Sequence, residues 1–293
     1  VRAGGKPLGD PLERLAACAF RGFTHVGLGA RGPLAGEGLP TAREEGTRLH
    51  GALAEALTAA KPLLEARPPV PSEVVRIGLA RAEAYLAEVR TAAPLEAILD
   101  ARVLDVTRRV LEDAAADPDW VFAFAEKAFG ENEPLAWPAL SLGEGELLLR
   151  GRIDRVDVGR VTASARVVDY KRGSLEGMRA KVGSTALQVP LYALAAREAL
   201  GRADVTGIYF SLRDEVLARP NEKDRCADVV AQQIEGAIEV RALDVVRRVR
   251  RGDVTPRPED ELSCRTCPFS GGCRRPRFAM PAEEDDGRPG GEA

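Results

Sequence analysis

Four cysteines can share one site in this chain only if its two ends meet. Cys264, Cys267 and Cys273 lie in a loop near the C-terminus that contains proline and glycine, whereas Cys18 lies near the N-terminus. Three clustered thiols that include a Cys-x-x-Cys pair are typical of metal ligation, and the total of 5 cysteines does not suit a disulfide framework. The spacing therefore predicts one metal site that fastens the ends of the fold together. Four thiolates suit several metals, zinc among them, so the cysteine spacing leaves the choice of metal open.

The composition is typical of a globular protein. Of the 293 residues, 45% are hydrophobic, which is enough for a proper core. The chain contains no run of about 18 apolar residues and does not open with a signal-peptide pattern, so we expect a cytoplasmic location and no contact with a membrane. It also lacks a GxxxxGK loop, which excludes ATP hydrolysis by a P-loop mechanism within this chain.

The charge is unevenly distributed. The formal net charge of −3 gives no overall attraction to nucleic acid, but local potential matters more than the total. Arginines gather towards the C-terminus, although for any single one a solvated helix face is the simpler explanation. This group comprises Arg241, Arg247, Arg248, Arg250, Arg251, Arg257, Arg265, Arg274, Arg275 and Arg277.

The hydrophobic pattern divides the chain into a helical lobe and a sheet. Apolar residues at helical spacing predict helices over about residues 41–60, 73–92, 94–116, 185–200 and 226–251. Ser72 is a candidate cap for the second helix, Gly201 ends the fourth, and Cys226 is expected as a free thiol in the last. Strands are predicted over about residues 121–129, 146–158, 161–171 and 205–212, with a turn at Gly159.

These elements predict an α/β fold with a mixed central sheet flanked by helices. We expect one domain over residues 1–278, with the helical lobe at about 41–116 inserted before the core sheet and a cysteine loop at 264–273. Residues 279–293 are rich in Glu, Asp, Gly and Pro and are predicted to form a disordered acidic tail.

Two of the predicted strands carry residues suited to a hydrolytic metal site. Asp169 and Lys171 are two apart on one strand and should share a side of the sheet, while Tyr170 points away. If the preceding strand pairs antiparallel, Asp154 arrives beside Asp169, and two carboxylates can hold Mg²⁺. Lys171 would then orient a water or offset charge in the transition state. Opposite charges on a strand also arise as plain cross-strand ion pairs, so this triplet alone is a weak signal.

A series of short motifs follows in order across nearly the whole chain. They are Cys18-Ala-Phe with Gly27-Leu-Gly, Glu45-Gly-Thr-Arg-Leu-His50, Glu126-Lys-Ala-Phe129, Gly151-Arg-Ile-Asp154-Arg-Val-Asp157, Val168-Asp169-Tyr-Lys171, Gln188-Val-Pro-Leu-Tyr192 and the loop of Cys264, Cys267 and Cys273. In this order the sequence resembles the RecB-like nucleases of the PD-(D/E)XK superfamily. The resemblance is greatest to the iron–sulfur branch typified by the AddB subunit of bacterial helicase–nucleases.

The resemblance implies a restriction-endonuclease-like core and a metal-dependent DNA nuclease. It implies an exonuclease-type activity in recombinational repair or DNA-end processing, with Mg²⁺ or Mn²⁺. By resemblance His50, Asp154 and Asp169 are the metal ligands and Lys171 is the catalytic lysine. Gln188 and Tyr192 would organise the site or hold the DNA backbone, and a spacing of four places both on one helix face.

The same resemblance implies that Cys18, Cys264, Cys267 and Cys273 hold a structural 4Fe–4S cluster. The implied partners are DNA and a helicase or helicase-like subunit, or such a domain N-terminal to this chain. Two alternatives remain at this level: an inactive DNA-binding domain of the same fold, or a zinc-stapled interaction module with incidental carboxylates.

Three further residues are assigned no catalytic role. Glu126 fits support either of the sheet edge or of a neighbouring metal ligand, and Asp157 fits a pair with a nearby arginine. His25 matches no motif and is interpreted as structural.

Overall fold

A computed structural model describes most of the chain. The described residues are 9–30, 42–90, 96–172, 175, 178, 181–212, 226–229, 231–265 and 267–273. The acidic tail predicted at 279–293 lies outside them.

The core is a mixed sheet of five strands. Its members are β1 (Trp120–Phe129), β4 (Gly151–Gly159), β5 (Ala165–Lys171), β6 (Val205–Ser211) and β7 (Cys226–Val229), in that spatial order. The β5–β6 pair is parallel, and the other neighbouring pairs are antiparallel. Two short strands, β2 (Leu140–Leu142) and β3 (Leu147–Leu149), pair with each other beside it.

Helices cover both faces of this sheet. The described helices are α1 (Gly9–Ala17), α2 (Ala19–Val26), α3 (Ala42–Leu64), α4 (Pro71–Val89), α5 (Glu96–Ala116), α6 (Gln188–Leu200) and α7 (Ala231–Arg250). Side chains alternate along each strand, so Val167 packs into the core beneath α1, α6 and α7 while Val168 packs against α3, α4 and α5. The predicted α/β architecture with a mixed, helix-flanked sheet is confirmed. Within the described ranges, no helix combines the length and apolar character needed to cross a membrane.

Helix α6 forms the crossover between the parallel strands β5 and β6 and lies directly on the sheet. A Cβ added to Gly207 of β6 would stand 2.4 Å from Cγ1 of Val189, so this close approach requires glycine. The helix ends at Gly201, as predicted, in the left-handed conformation at φ 61°. The tight packing fixes the start of α6 relative to the end of β5.

Several predicted boundaries are wrong. The helix predicted over 226–251 begins only at Ala231, because residues 226–229 form β7 and pair with β6. The thiol of Cys226 lies outside the described side chains. Helix α4 begins at Pro71 after Val70 rather than after Ser72, since proline suits a first turn where its missing N–H costs nothing. The strand predicted over 146–158 is divided into β3 and β4.

Candidate active site

Asp154 on β4 contacts both the neighbouring strand and the helical lobe. Arg155 pairs with Val168 in the antiparallel ladder, which brings Asp154 to the level of Asp169. Oδ2 of Asp154 accepts the main-chain N–H of Tyr170 at 2.9 Å and lies 3.4 Å from Nδ1 of His50 on α3. The predicted antiparallel pairing is therefore confirmed, and the carboxylate of Asp154 is held towards the imidazole.

Glu126 joins His50 and Asp154 although the sequence analysis gave it no catalytic role. One ligand atom of each of these three residues lies within 4.8 Å of the other two. Glu126 has φ of 46°, a left-handed conformation that non-glycine residues adopt rarely and at a cost of about 1–3 kcal/mol. Strand β1 also carries an irregularity between Phe122 and Phe124. Strain at a glutamate beside two other possible ligands is typical of a functional position.

Asp169 and Lys171 stand side by side on β5, as predicted from their spacing. Asp169 is only 2% exposed, and Nζ of Lys171 lies 2.7 Å from its Oδ2. Among the described residues that oxygen nevertheless accepts no hydrogen bond of normal geometry. Tyr170 points to the opposite face and packs with the helical lobe. A buried carboxylate oxygen left partly unsatisfied is suited to ligate a cation.

Gln188 connects the lysine to helix α6. Nζ of Lys171 donates to Oε1 of Gln188 at 3.1 Å, and Nε2 of Gln188 donates to the Tyr192 hydroxyl at 3.1 Å. The Tyr192 ring packs edge-on against Phe129 with 5.7 Å between centroids. The start of α6 thus holds the lysine ammonium at a second point besides Asp169.

The site concentrates acidic groups in a place that opposes their ionisation. Burial raises the pKa of Glu126 to about 7, and the charge of Asp154 acts in the same sense. Burial also raises the pKa of Asp169 to about 7, against the effect of Lys171 and in the same sense as Asp154. Burial opposes a charged His50, but its hydrogen bond with Asp154 and the surrounding carboxylates raise its pKa to about 9. The charge of Asp154 therefore raises the pKa of both Glu126 and Asp169, and all three carboxylates raise the pKa of His50, which is expected of acidic groups gathered at one site.

This donor set fits one divalent cation. His50, Glu126 and Asp154 lie close enough to share an ion, and the buried carboxylate of Asp169, paired with Lys171, stands on the neighbouring strand. Oxygen-rich sets of this kind suit Mg²⁺ and Mn²⁺. Glu126 is thus a further candidate ligand besides those implied by the resemblance, and Asp169 lies outside the closest group of three.

Segments near the two ends of the chain meet at α1 and α2. The N–H of Glu259 donates to the carbonyl of Ala17 at 3.0 Å, and the guanidinium of Arg241 donates to the carbonyl of Ala16 at 3.1 Å. The rings of His25 and Phe269 lie 6.4 Å apart between centroids, so α2 contacts the cysteine loop directly. Cys18, Cys264, Cys267 and Cys273 are all free of disulfides.

Several C-terminal arginines are engaged in ion pairs. Arg247 and Arg250 both contact Glu146, and Arg248 contacts Asp244. These contacts reduce the positive charge that this region offers to nucleic acid.

Asp157 has the structural role that the sequence analysis gave it. It is fully buried and accepts hydrogen bonds from Arg155 at 2.6 Å and from Arg166 at 2.8 Å. It lies outside the group formed by His50, Glu126 and Asp154.

A mixed, helix-flanked sheet that gathers acids and a lysine at the end of a central strand is typical of metal-dependent nucleases. A profile of the PD-(D/E)XK nuclease superfamily matches residues 11–274, and the chain therefore belongs to that superfamily. It is also 38% identical over 76 residues to one subunit of an ATP-dependent helicase/deoxyribonuclease from Carboxydothermus hydrogenoformans. That match spans 25% of this chain and 7% of the relative, and it supports the RecB-like resemblance.

Proposed function

We propose that this chain hydrolyses phosphodiester bonds in DNA with Mg²⁺ or Mn²⁺. The observation that carries the proposal is the meeting of Asp154, Asp169 and Lys171 at one site with His50 and Glu126. The name of the relative, a helicase/deoxyribonuclease, supports DNA as the substrate. We further propose that the activity is of the exonuclease type and acts in recombinational repair or DNA-end processing.

His50, Asp154 and Asp169 would hold the cation, with Glu126 as a further ligand. When bound, the cation supplies charge neutralisation and Lewis acidity at the phosphate. The protein fixes the donors beforehand, because the Tyr170 N–H holds Asp154 at 2.9 Å and α3 brings His50 against the sheet.

Lys171 is proposed to orient the attacking water and to offset negative charge in the transition state. Its ammonium lies between Asp169 at 2.7 Å and Gln188 at 3.1 Å, which restricts its direction. Its side chain is 28% exposed, so substrate can reach it, while partial burial strengthens its electrostatic effect. Gln188 and Tyr192 keep the lysine in place and are candidates for contact with the DNA backbone.

The four cysteines are proposed to hold a structural 4Fe–4S cluster. The contact of α2 with the cysteine loop supports this, because Cys18 immediately precedes α2. A cluster there would close a loop of most of the chain and reduce the freedom of the unfolded state. A helicase or helicase-like subunit or domain is the proposed partner, in view of the relative's name.

The proposal is tested with linear DNA labelled at either the 5′ or the 3′ end and with circular DNA labelled internally. We expect cleavage that requires Mg²⁺ or Mn²⁺, stops with EDTA and releases label progressively from linear ends. Cleavage of circular DNA at an equal rate would contradict the exonuclease assignment. Binding without cleavage would instead favour an inactive DNA-binding domain, and neither binding nor cleavage would favour a zinc-stapled interaction module.

A further inference from the structure

The start of helix α6 depends on a residue from the other end of the chain. An α-helix begins with N–H groups that lack partners within the helix, and a side chain usually caps them. Here the residue before the helix is Leu187, which has no polar side chain to do so. The carboxylate oxygen Oε1 of Glu13 on α1 instead accepts the N–H groups of Leu187 and Gln188, both at 2.9 Å.

Glu13 is the main cap of this turn, because the other residues of the turn offer no short hydrogen bond to a second capping group. The N–H of Val189 donates to the Tyr209 hydroxyl at 3.4 Å, Pro190 has no N–H, and Leu191 already bonds within the helix at 3.0 Å. A carboxylate is also the favourable charge at a helix N-terminus. Glu13 is therefore the acceptor of both short hydrogen bonds that cap the helix.

The capped residue is the one that contacts the lysine. Gln188 donates its main-chain N–H to Glu13, and its side-chain oxygen accepts a hydrogen bond from Lys171. A shift at the start of α6 would accordingly move the amide that restrains the lysine ammonium.

Helix α1 is itself held by the segment that leads to the cysteine loop. Arg241 and the N–H of Glu259 bond to the last carbonyls of α1, and Leu12 and Ala16 are buried in the core beneath α6. A contiguous set of contacts thus runs from the C-terminal segment through α1 and Glu13 to Gln188.

We propose that Glu13 is a positioning residue for the nuclease site, acting through Gln188 on Lys171. This inference rests on the proposed nuclease function, and it adds a link between the joined chain ends and the reaction centre. Glu13 is absent from the group of acids that would hold the cation. It sets where the lysine is held.

The test compares Glu13→Ala with Glu13→Gln, since glutamine keeps an acceptor oxygen and alanine removes it. We expect Glu13→Ala to lower kcat by about tenfold to a hundredfold with KM for DNA unchanged within about twofold. Glu13→Gln should recover most of the activity. Glu198→Ala is the matched control. Glu198 is an exposed glutamate near the end of α6, and its substitution should leave the enzyme as wild type.

A double substitution separates positioning from general damage. If Glu13 acts through Gln188, Glu13→Ala should have little further effect on kcat in a Gln188→Ala background. Full additivity of the two losses would overturn the proposal.

Amide hydrogen exchange gives a measurement independent of activity. In Glu13→Ala the first turn of α6, residues 187–192, should exchange about tenfold faster or more, and Glu13→Gln should protect it. Unchanged exchange, or faster exchange with unchanged kcat, would overturn the positioning role while leaving the nuclease function intact. The expected exchange effects in a protein whose wild type never cuts DNA would instead count against the nuclease function.

Discussion

Asp154 and His50 come from different layers of the fold, and Oδ2 of Asp154 lies 3.4 Å from Nδ1 of His50. The same oxygen accepts the Tyr170 N–H, so its position is fixed by the sheet before any ligand arrives. The helical lobe is therefore part of the site, because α3 supplies one of its donors.

Replacing His50 with alanine should weaken Mn²⁺ binding by about tenfold or more, because the imidazole is one of three donors within 4.8 Å. Calorimetric titration of the metal-free protein measures this affinity. His25→Ala is the control, since His25 contacts Phe269 rather than the acids. Equal loss of Mn²⁺ affinity in both variants would show that His50 supports the folded state and does not ligate the ion.

Replacing Glu126 with glutamine should lower cleavage and raise the thermal stability of the metal-free protein. The substitution removes one of several half-buried or buried carboxylates held close together, and such functional sites commonly cost stability. Scanning calorimetry should give a Tm a few degrees higher without metal and a smaller stabilisation by Mn²⁺ than in wild type. A lower Tm with unchanged cleavage would show that Glu126 has only a structural role.

Much of this site could be predicted from sequence because it depends on strand alternation. Asp169 and Lys171 share one face by their spacing, and a turn near Gly159 predicts the antiparallel partner that carries Asp154. Glu126 could not be assigned in this way, because its place depends on a positive φ and on a neighbouring irregularity in β1. Neither feature has a local signal when the residue is not glycine.

Contacts between distant segments also explain the other features that the sequence did not predict. Residues 226–229 form a strand because β6 offers them a pairing edge, and four residues are too few for their own pattern to indicate it. The cap of α6 by Glu13 joins residues 174 positions apart and follows from no spacing rule. Local patterns predicted the elements, whereas tertiary contacts decided their ends.

Substitution of Cys18 or Cys264 by serine should remove bound iron and lower the Tm. Each of the two lies at one of the joined ends, so loss of either should open the proposed clasp. The wild-type protein, purified without oxygen, should contain about four irons and four sulfides per chain. Cys226→Ser is the control and should keep the metal, whereas a colourless wild type with one zinc would contradict the cluster.

Two glycine substitutions should have opposite effects on stability. Gly207→Ala places a Cβ 2.4 Å from Val189 and should cost about 1–3 kcal/mol, since α6 cannot move away from the sheet freely. Gly46→Ala, within α3 and with no atom within 4 Å of the added Cβ, should stabilise by about 0.5–1 kcal/mol. Urea unfolding measures both. Wild-type stability of Gly207→Ala would contradict the close packing of α6 on β6.

The central claim is that the carboxylate of Asp169 and the ammonium of Lys171 act together on DNA phosphate. Its most direct test measures cleavage of end-labelled linear DNA by wild type, Asp169→Asn and Lys171→Ala, with Lys181→Ala, an exposed lysine, as the control. We predict Mn²⁺-dependent cleavage by wild type and the control, and rates lower by about 100-fold to 1000-fold or more in the two site variants with Tm and iron content retained. Cleavage at the wild-type rate by either site variant would contradict the account.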